Sequence, residues 1–187
     1  MGVLNFAHGS FLTVGAFVGY WIATKLGPET SMVDFVIAMI VGGLAAGLFA
    51  LAMEQLLITR LYERHIDQAL VTVGVSLVVG AVLAGWFGND LIMFPTPMWF
   101  LTAINVGGAM IPADRVVYIA TAVLLLIGNW ILLKYTRIGL IIRAGVENRN
   151  MVNALGINVR RAFSTVFFLG GFAAGVGGVL VSVYSNG

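Results

Sequence analysis

Five long stretches of the sequence are almost entirely apolar, and short polar segments separate them. Their approximate bounds are residues 10–26, 34–58, 69–88, 115–134 and 162–184. A helix needs roughly 20 apolar residues to cross the hydrocarbon core of a bilayer. The stretches do not alternate in polarity as membrane β-barrel strands do, and an open sheet leaves backbone groups unpaired in lipid. The pattern therefore predicts an all-α, polytopic membrane protein with about five transmembrane helices.

Composition supports a membrane protein and narrows its chemistry. Hydrophobic residues make up 60% of the chain and charged residues 10%, whereas soluble domains carry about 25% charged residues. The absence of cysteine excludes disulfides and thiol catalysis. We expect no catalytic site, no metal and no cofactor. The middle of each stretch lacks charged residues, which argues against proton-coupled transport and a charged ion filter.

The basic residues are distributed unevenly between the predicted loops. Residues 59–68 and 134–161 lie on the same side if all five stretches cross, and they hold eight of the ten Lys and Arg residues. Because basic loops stay in the cytoplasm, we expect both loops and the N-terminus inside, in a bacterial or archaeal cytoplasmic membrane. The lipid bilayer is the expected environment, and no nucleic-acid partner is expected.

The longest outer loop, residues 89–114, is unusually apolar and contains three of the four prolines. We expect it to be irregular. Two interpretations remain open: the loop meets the interface or a partner, or it folds back over the helix ends.

Glycines recur four residues apart within the predicted helices. The pairs are Gly15 and Gly19, Gly43 and Gly47, and Gly171 and Gly175. Small residues at this spacing let helix backbones approach closely in lipid. We therefore interpret these six residues as helix-packing positions, although a flexible helix beside a moving pathway fits the same pattern.

The long inner loop, taken as residues 135–161, contains a pattern typical of a short helix. Asn148 is a candidate N-cap, Met151, Val152 and Leu155 share one face, and Gly156 is a natural helix stop. Such a helix either rests on lipid headgroups or docks into a soluble partner.

Three segments resemble permeases of ABC importers for branched-chain amino acids, the LivH/LivM type. Leu4–Gly9 contains the family's N-F-A-H-G, and residues 167–180 resemble its glycine-rich helix. Residues 136–161 resemble its coupling loop, which reads roughly S-x-x-G-x-x-x-R-A, then an acidic residue, then L-G-I-N. The matching loop positions are Gly139, Arg143, Ala144, Glu147, Leu155, Gly156, Ile157 and Asn158.

The chain also departs from the family in two respects. Residues 148–153 are more polar than the small pair usual there, which affects the expected coupling contacts. The family extends further on both sides of the matched region, so we expect this chain to be a fragment of a larger permease.

The resemblance implies partners and site residues. ABC ATPase subunits, a second homologous permease and a periplasmic or extracellular substrate-binding protein are the implied partners. The chain lacks the phosphate-binding motif G-x-x-x-x-G-K-[ST], so ATP hydrolysis belongs to a partner and the chain is not expected to be an enzyme. The implied ATPase-coupling residues are Gly139, Arg143, Glu147, Asn148, Met151, Leu155 and Gly156, and the candidate pathway residues are Asn5, Phe6, His8 and Gly9.

We therefore expect a permease subunit that translocates branched-chain or related amino acids. The sequence leaves open a permease for urea or short-chain amides. A stand-alone channel or facilitator is a further alternative, although it does not account for the long basic loop. For His8, a capping or packing role is the alternative to a place in the pathway.

Overall fold

A computed structural model describes residues 5–27, 31–61, 64–88, 92–106 and 108–185 of the chain. The chain divides into two compact units. The helical unit comprises Gly2–Phe100 and Phe167–Gly187, and the loop unit comprises Leu101–Val166.

Helices dominate the described residues. In chain order the helices and strands are α1 His8–Leu26, α2 Met32–Leu56, α3 His65–Phe87, β1 Ala103–Val106, β2 Ala109–Pro112, α4 Ala113–Tyr135, α5 Arg137–Glu147, α6 Arg149–Ala154 and α7 Val159–Ser185. Short 3-10 turns cover Ile58–Leu61 and Met98–Leu101. The last helix begins in the loop unit and continues in the helical unit.

Four helices within the described ranges are long and apolar enough to cross a membrane: α2, α3, α4 and α7. Helix α1 is also long, with 19 residues, but it is not among these four. The expected class, an all-α polytopic membrane protein with about five long helices, is confirmed. The exact membrane bounds of each helix stay a prediction.

The start of α2 is fixed by a reciprocal pair of side chains. The Ser31 hydroxyl accepts a hydrogen bond from the Asp34 backbone N–H at 3.2 Å, and an Asp34 carboxylate oxygen accepts one from the Ser31 N–H at 3.0 Å. This capping box satisfies two of the N–H groups that every helix start leaves unpaired.

Residues 92–100 fold back over helix ends of the helical unit. The Phe94 and Phe100 side chains are buried, and both rings pack edge-on against the buried Phe35 ring of α2, at 6.2 and 5.0 Å between centroids. Of the two interpretations of the apolar outer loop, this part of it follows the second; residues 89–91 and 107 lie outside the described ranges.

The remainder of that loop is more regular than the prolines suggested. Strands β1 and β2 pair antiparallel, from Ala103 opposite Pro112 to Val106 opposite Ala109. The hairpin leads directly into α4, which begins at Ala113. The Ala113 N–H donates to the Thr102 carbonyl at 2.9 Å. The expectation of an irregular loop was wrong for these residues. Their backbone N–H and C=O groups pair between the two strands, and the sequence pattern does not reveal this pairing.

Small residues bring α1, α2 and α7 into close contact. A β-carbon on Gly15 would collide with the Gly175 backbone, and one on Gly19 would lie 2.5 Å from Val179 Cγ2. These pairings make α1 and α7 parallel. A β-carbon on Gly42 of α2 would lie 2.5 Å from the Gly15 carbonyl oxygen.

The α2–α7 contact is equally tight. A β-carbon on Gly43 would lie 2.8 Å from Val176 Cγ2, and one on Gly47 would lie 2.9 Å from Phe168 Cε2. On α7, a β-carbon on Gly171 would collide with Ala50. All six glycines that the sequence pattern singles out thus lie where a neighbouring helix leaves no room for a side chain.

We expect Gly175→Ala to destabilise the helical unit, because the added methyl would lie 2.5 Å from Ala46 Cβ and 2.9 Å from the Gly42 carbonyl oxygen. Overpacking of this kind costs about 1–3 kcal/mol. Thermal unfolding of the purified protein in detergent measures the change.

Gly177→Ala is the matched control on the same helix. A β-carbon there meets nothing within 4 Å, so this variant should unfold at or slightly above the wild-type temperature because alanine favours helix. Equal losses of stability in the two variants would contradict the close-packing interpretation.

Candidate functional site

A short non-helical turn, Asn5–Ala7, precedes α1. The candidate pathway residues lie on this turn and at the start of the helix. The Asn5 side-chain oxygen accepts a hydrogen bond from the Ala7 N–H at 3.0 Å. The Ala7 carbonyl accepts from the N–H groups of Ser10 and Phe11 and so begins the helix. Within the described part of the chain, the N-cap residue Ala7 makes no side-chain capping bond to the start of α1.

Asn5 and Phe6 lie on this turn, and His8 and Gly9 are the first two residues of α1. Asn5 is half-buried and its amide closes the turn, whereas Phe6 is 58% exposed. His8 is exposed and its ring packs edge-on against Phe11 at 5.9 Å. Gly9 is exposed, with open space where a side chain would lie. The turn and the first residues of α1 therefore expose an aromatic ring, an imidazole and accessible backbone.

Helix α3 holds this turn through hydroxyl groups that sequence reasoning missed. The Phe6 N–H donates to the Thr72 hydroxyl at 3.1 Å, and the Ser76 hydroxyl donates to the Phe6 carbonyl at 3.3 Å. With Gln68 these residues form a polar stripe at i, i+4 and i+8 on an apolar helix. That spacing is visible in the sequence, but it does not reveal which backbone groups the hydroxyls bond.

The end of α2 contains a fully buried carboxylate. Glu54 is 0% exposed, and the Thr59 hydroxyl bonds both its carbonyl oxygen, at 2.9 Å, and its side-chain oxygen, at 3.1 Å. Buried acidic groups persist only when hydrogen-bonded or paired. Glu54 therefore closes the turn between α2 and the Ile58–Leu61 segment rather than facing the lipid interface.

In the loop unit, α4 and α5 meet at a sharp corner. The Thr136 hydroxyl accepts from the Gly139 N–H at 3.1 Å and donates to the Leu132 carbonyl at 2.6 Å. Gly139 fits there because a β-carbon would collide with the carbonyls of Leu132 and Leu133. This corner accounts for a glycine at the position that matches the family's coupling loop.

Residues 135–161, the predicted inner loop, contain two helices, α5 and α6, rather than the one short helix that the pattern suggested. Asn148 is the N-cap of α6, since its side-chain oxygen accepts from the Met151 N–H at 3.0 Å. Gly156 ends the helix in the left-handed region, at φ 77°. Asn148 and Gly156 thus have the local roles that their residue types indicated.

Packing divides the apolar face of α6. Val152 is buried with Val159 and Phe163 at the start of α7, and Ala144 of α5 packs on the same cluster. Met151 and Leu155 remain 63% and 68% exposed. Arg143 and Glu147 of α5 are exposed as well. The loop unit therefore exposes two apolar side chains, Met151 and Leu155, on or next to α6 and two charged side chains, Arg143 and Glu147, on α5.

The apolar helices define a multi-pass membrane protein, and comparison with known proteins defines its family. The family described as "Branched-chain amino acid transport system / permease component" matches residues 1–187. The chain belongs to this family. No solved structure matches the chain.

Three curated relatives are similar along most of the chain. LivH of Salmonella typhimurium strain LT2 is 25% identical over 98% of this chain and 62% of its own length. LivH of Escherichia coli K12 is 26% identical over 98% and 62%, and the probable LivH of Methanocaldococcus jannaschii is 29% identical over 96% and 56%. The chain thus spans about three fifths of the length of these relatives, which are named as permease proteins of transport systems and not as enzymes.

We expect Gly156→Ala to loosen the end of α6, because a side chain in the left-handed region costs about 1–2 kcal/mol. Hydrogen–deuterium exchange of residues 151–157 should accelerate about five- to thirtyfold.

Gly156→Asn is the matched control, since asparagine tolerates this conformation. The asparagine variant should exchange at a rate closer to wild type. The same exchange rate in both variants would contradict the assigned helix end.

Proposed function

We propose that this chain is part of the permease subunit of a binding-protein-dependent ABC importer that carries branched-chain or related amino acids across the cytoplasmic membrane. The match of the family over residues 1–187 carries the proposal, and the relatives' names supply the substrate class. The scarcity of charge within the apolar helices suits a pathway whose energy comes from a partner.

The exposed pair Met151 and Leu155 supports a docking role for α6. Exposed apolar side chains beside charged ones are typical of an interface with a protein partner, and an ATPase subunit is the partner we propose. Val152 joins α6 to Val159 and Phe163 in a packed cluster. Because packed interiors transmit displacement, movement of α6 by the ATPase would reach the start of α7.

The proposed orientation places both basic loops on the cytoplasmic side, where ATP is available, with the N-terminus of the chain also inside. A substrate-binding protein would deliver the amino acid from the other side. A second homologous permease would complete the pathway, so that two subunits enclose it between them.

We assign the turn Asn5–Ala7 and the start of α1 to the pathway. The exposed His8 and Gly9 offer an imidazole and backbone groups, and the uncapped helix start carries partial positive charge. Such helix starts suit the carboxylate of an amino acid in transporters.

The substrate class is tested by uptake into vesicles that contain the assembled importer with full-length permease. Unlabelled isoleucine should compete with radiolabelled leucine when the two are present at similar concentrations. Even a large excess of urea should leave leucine uptake unchanged. Competition by urea alone would favour the urea or short-amide permease. ATP-independent uptake would favour a facilitator instead.

The docking role is tested by co-purification of the ATPase with the full-length permease. The double variant Met151→Ser/Leu155→Ser should reduce recovery of the ATPase about tenfold or more, because central apolar contacts carry much of an interface's binding energy.

Leu140→Ser is the matched control, since Leu140 of α5 is similarly exposed, at 61%. It should retain the ATPase. Undiminished recovery with the double variant would show that α6 is not the docking helix.

A further inference from the structure

Both backbone polar groups of Phe6 are bonded to side chains of one other helix. Thr72, which is fully buried, accepts from the Phe6 N–H, and Ser76 donates to the Phe6 carbonyl. The Thr72 hydroxyl itself donates a hydrogen bond to the Ala69 carbonyl at 3.0 Å. The two hydroxyls are one helical turn apart on α3 and hold one peptide residue from both sides.

This turn lies well inside the span of α3. The helix runs for 23 residues from His65 to Phe87, or about 34 Å at 1.5 Å per residue. Thr72 and Ser76 are about 10 and 17 Å from its first residue by the same rise. Further along, Phe17 of α1 packs on Phe87 at 4.7 Å between ring centroids, so α1 and α3 run parallel.

If α3 crosses a hydrocarbon core about 30 Å thick, the non-helical residues 5–7 lie at membrane depth. Irregular backbone at that depth persists only where protein groups satisfy it or where it lines a cavity. The hydroxyls of Thr72 and Ser76 do this for Phe6, and Asn5 does it for Ala7. The backbone of Phe6 is therefore held by α3, whereas Ala7 is buried in a cluster with residues of α2 and α7.

We propose that Thr72 and Ser76 are positioning residues for transport. They hold the turn so that His8 and Gly9 face the transported amino acid, and this inference rests on the pathway role proposed above. The two hydroxyls contact the backbone of the turn and act on the substrate only through it.

The test uses the assembled importer with full-length permease, reconstituted in vesicles, and measures leucine imported per ATP hydrolysed. Thr72→Val keeps the side-chain shape but removes the acceptor for the Phe6 N–H. Since small displacements of binding groups are costly, we expect imported leucine per ATP to fall about tenfold, with ATP hydrolysis and assembly unchanged. Thr72→Ser keeps the hydroxyl and should restore import to within about twofold of wild type.

Two further variants separate positioning from general damage. Thr165→Val removes a hydroxyl that, among the described residues, bonds only the carbonyl of Arg161 in its own helix, at 3.0 Å, and should leave import per ATP unchanged. Ser76→Ala removes the second hydroxyl and should lower import in the same direction as Thr72→Val, which covers the case in which the valine variant fails to assemble.

A double-variant comparison with His8→Ala distinguishes this inference from the proposed function. Thr72→Val should add little to the loss in a His8→Ala background, because both act at the same place. Full import per ATP in both Thr72→Val and Ser76→Ala, with His8→Ala impaired, would overturn the positioning role and leave the pathway role standing. Full import in His8→Ala would overturn both.

Discussion

Inside a bilayer, a backbone N–H or C=O group without a protein partner has no water to bond instead. The turn Asn5–Ala7 shows how the chain meets this constraint. The Asn5 amide, the Thr72 hydroxyl and the Ser76 hydroxyl satisfy the groups that the missing helical bonds leave open. Non-helical backbone is therefore possible directly before α1, where His8 and Gly9 are exposed.

Close helix packing is the second consequence of the same environment. Lipid chains are as apolar as leucine, so contact between helices in a membrane depends on how closely their backbones approach. Gly15, Gly42 and Gly175 meet at one level of α1, α2 and α7. This contact packs the middle of α1 closely against both neighbouring helices.

The sequence predicted the helices, the glycine contacts and the cap at Asn148 because each depends on local chemistry: apolar length, small residues at a fixed spacing, or a side chain bonding its own backbone. It did not predict the hold of Thr72 on Phe6, because that bond joins residues 66 positions apart. The pairing of β1 with β2 and the sharp corner at Gly139 depend likewise on backbone geometry that residue types do not specify. The candidate pathway residues came from a resemblance, and the structure adds the two hydroxyl groups that bond the backbone of Phe6.

The two parts of the proposed mechanism require different degrees of rigidity. Around α6, Val152 is packed with Val159 and Phe163, so a push on the exposed Met151 and Leu155 displaces a connected cluster rather than a loose loop. At the start of α1, the turn combines apolar packing with hydrogen bonds: Ala7 is fully buried in a cluster with Phe11 and Ala46, whereas the hydroxyls of Thr72 and Ser76 bond Phe6. A transport cycle needs a rigid element to receive force from ATP and an adjustable one to release substrate. The packed cluster suits the first requirement, and at the turn the hydroxyl bonds to Phe6 are the contacts that can be exchanged while Ala7 stays packed.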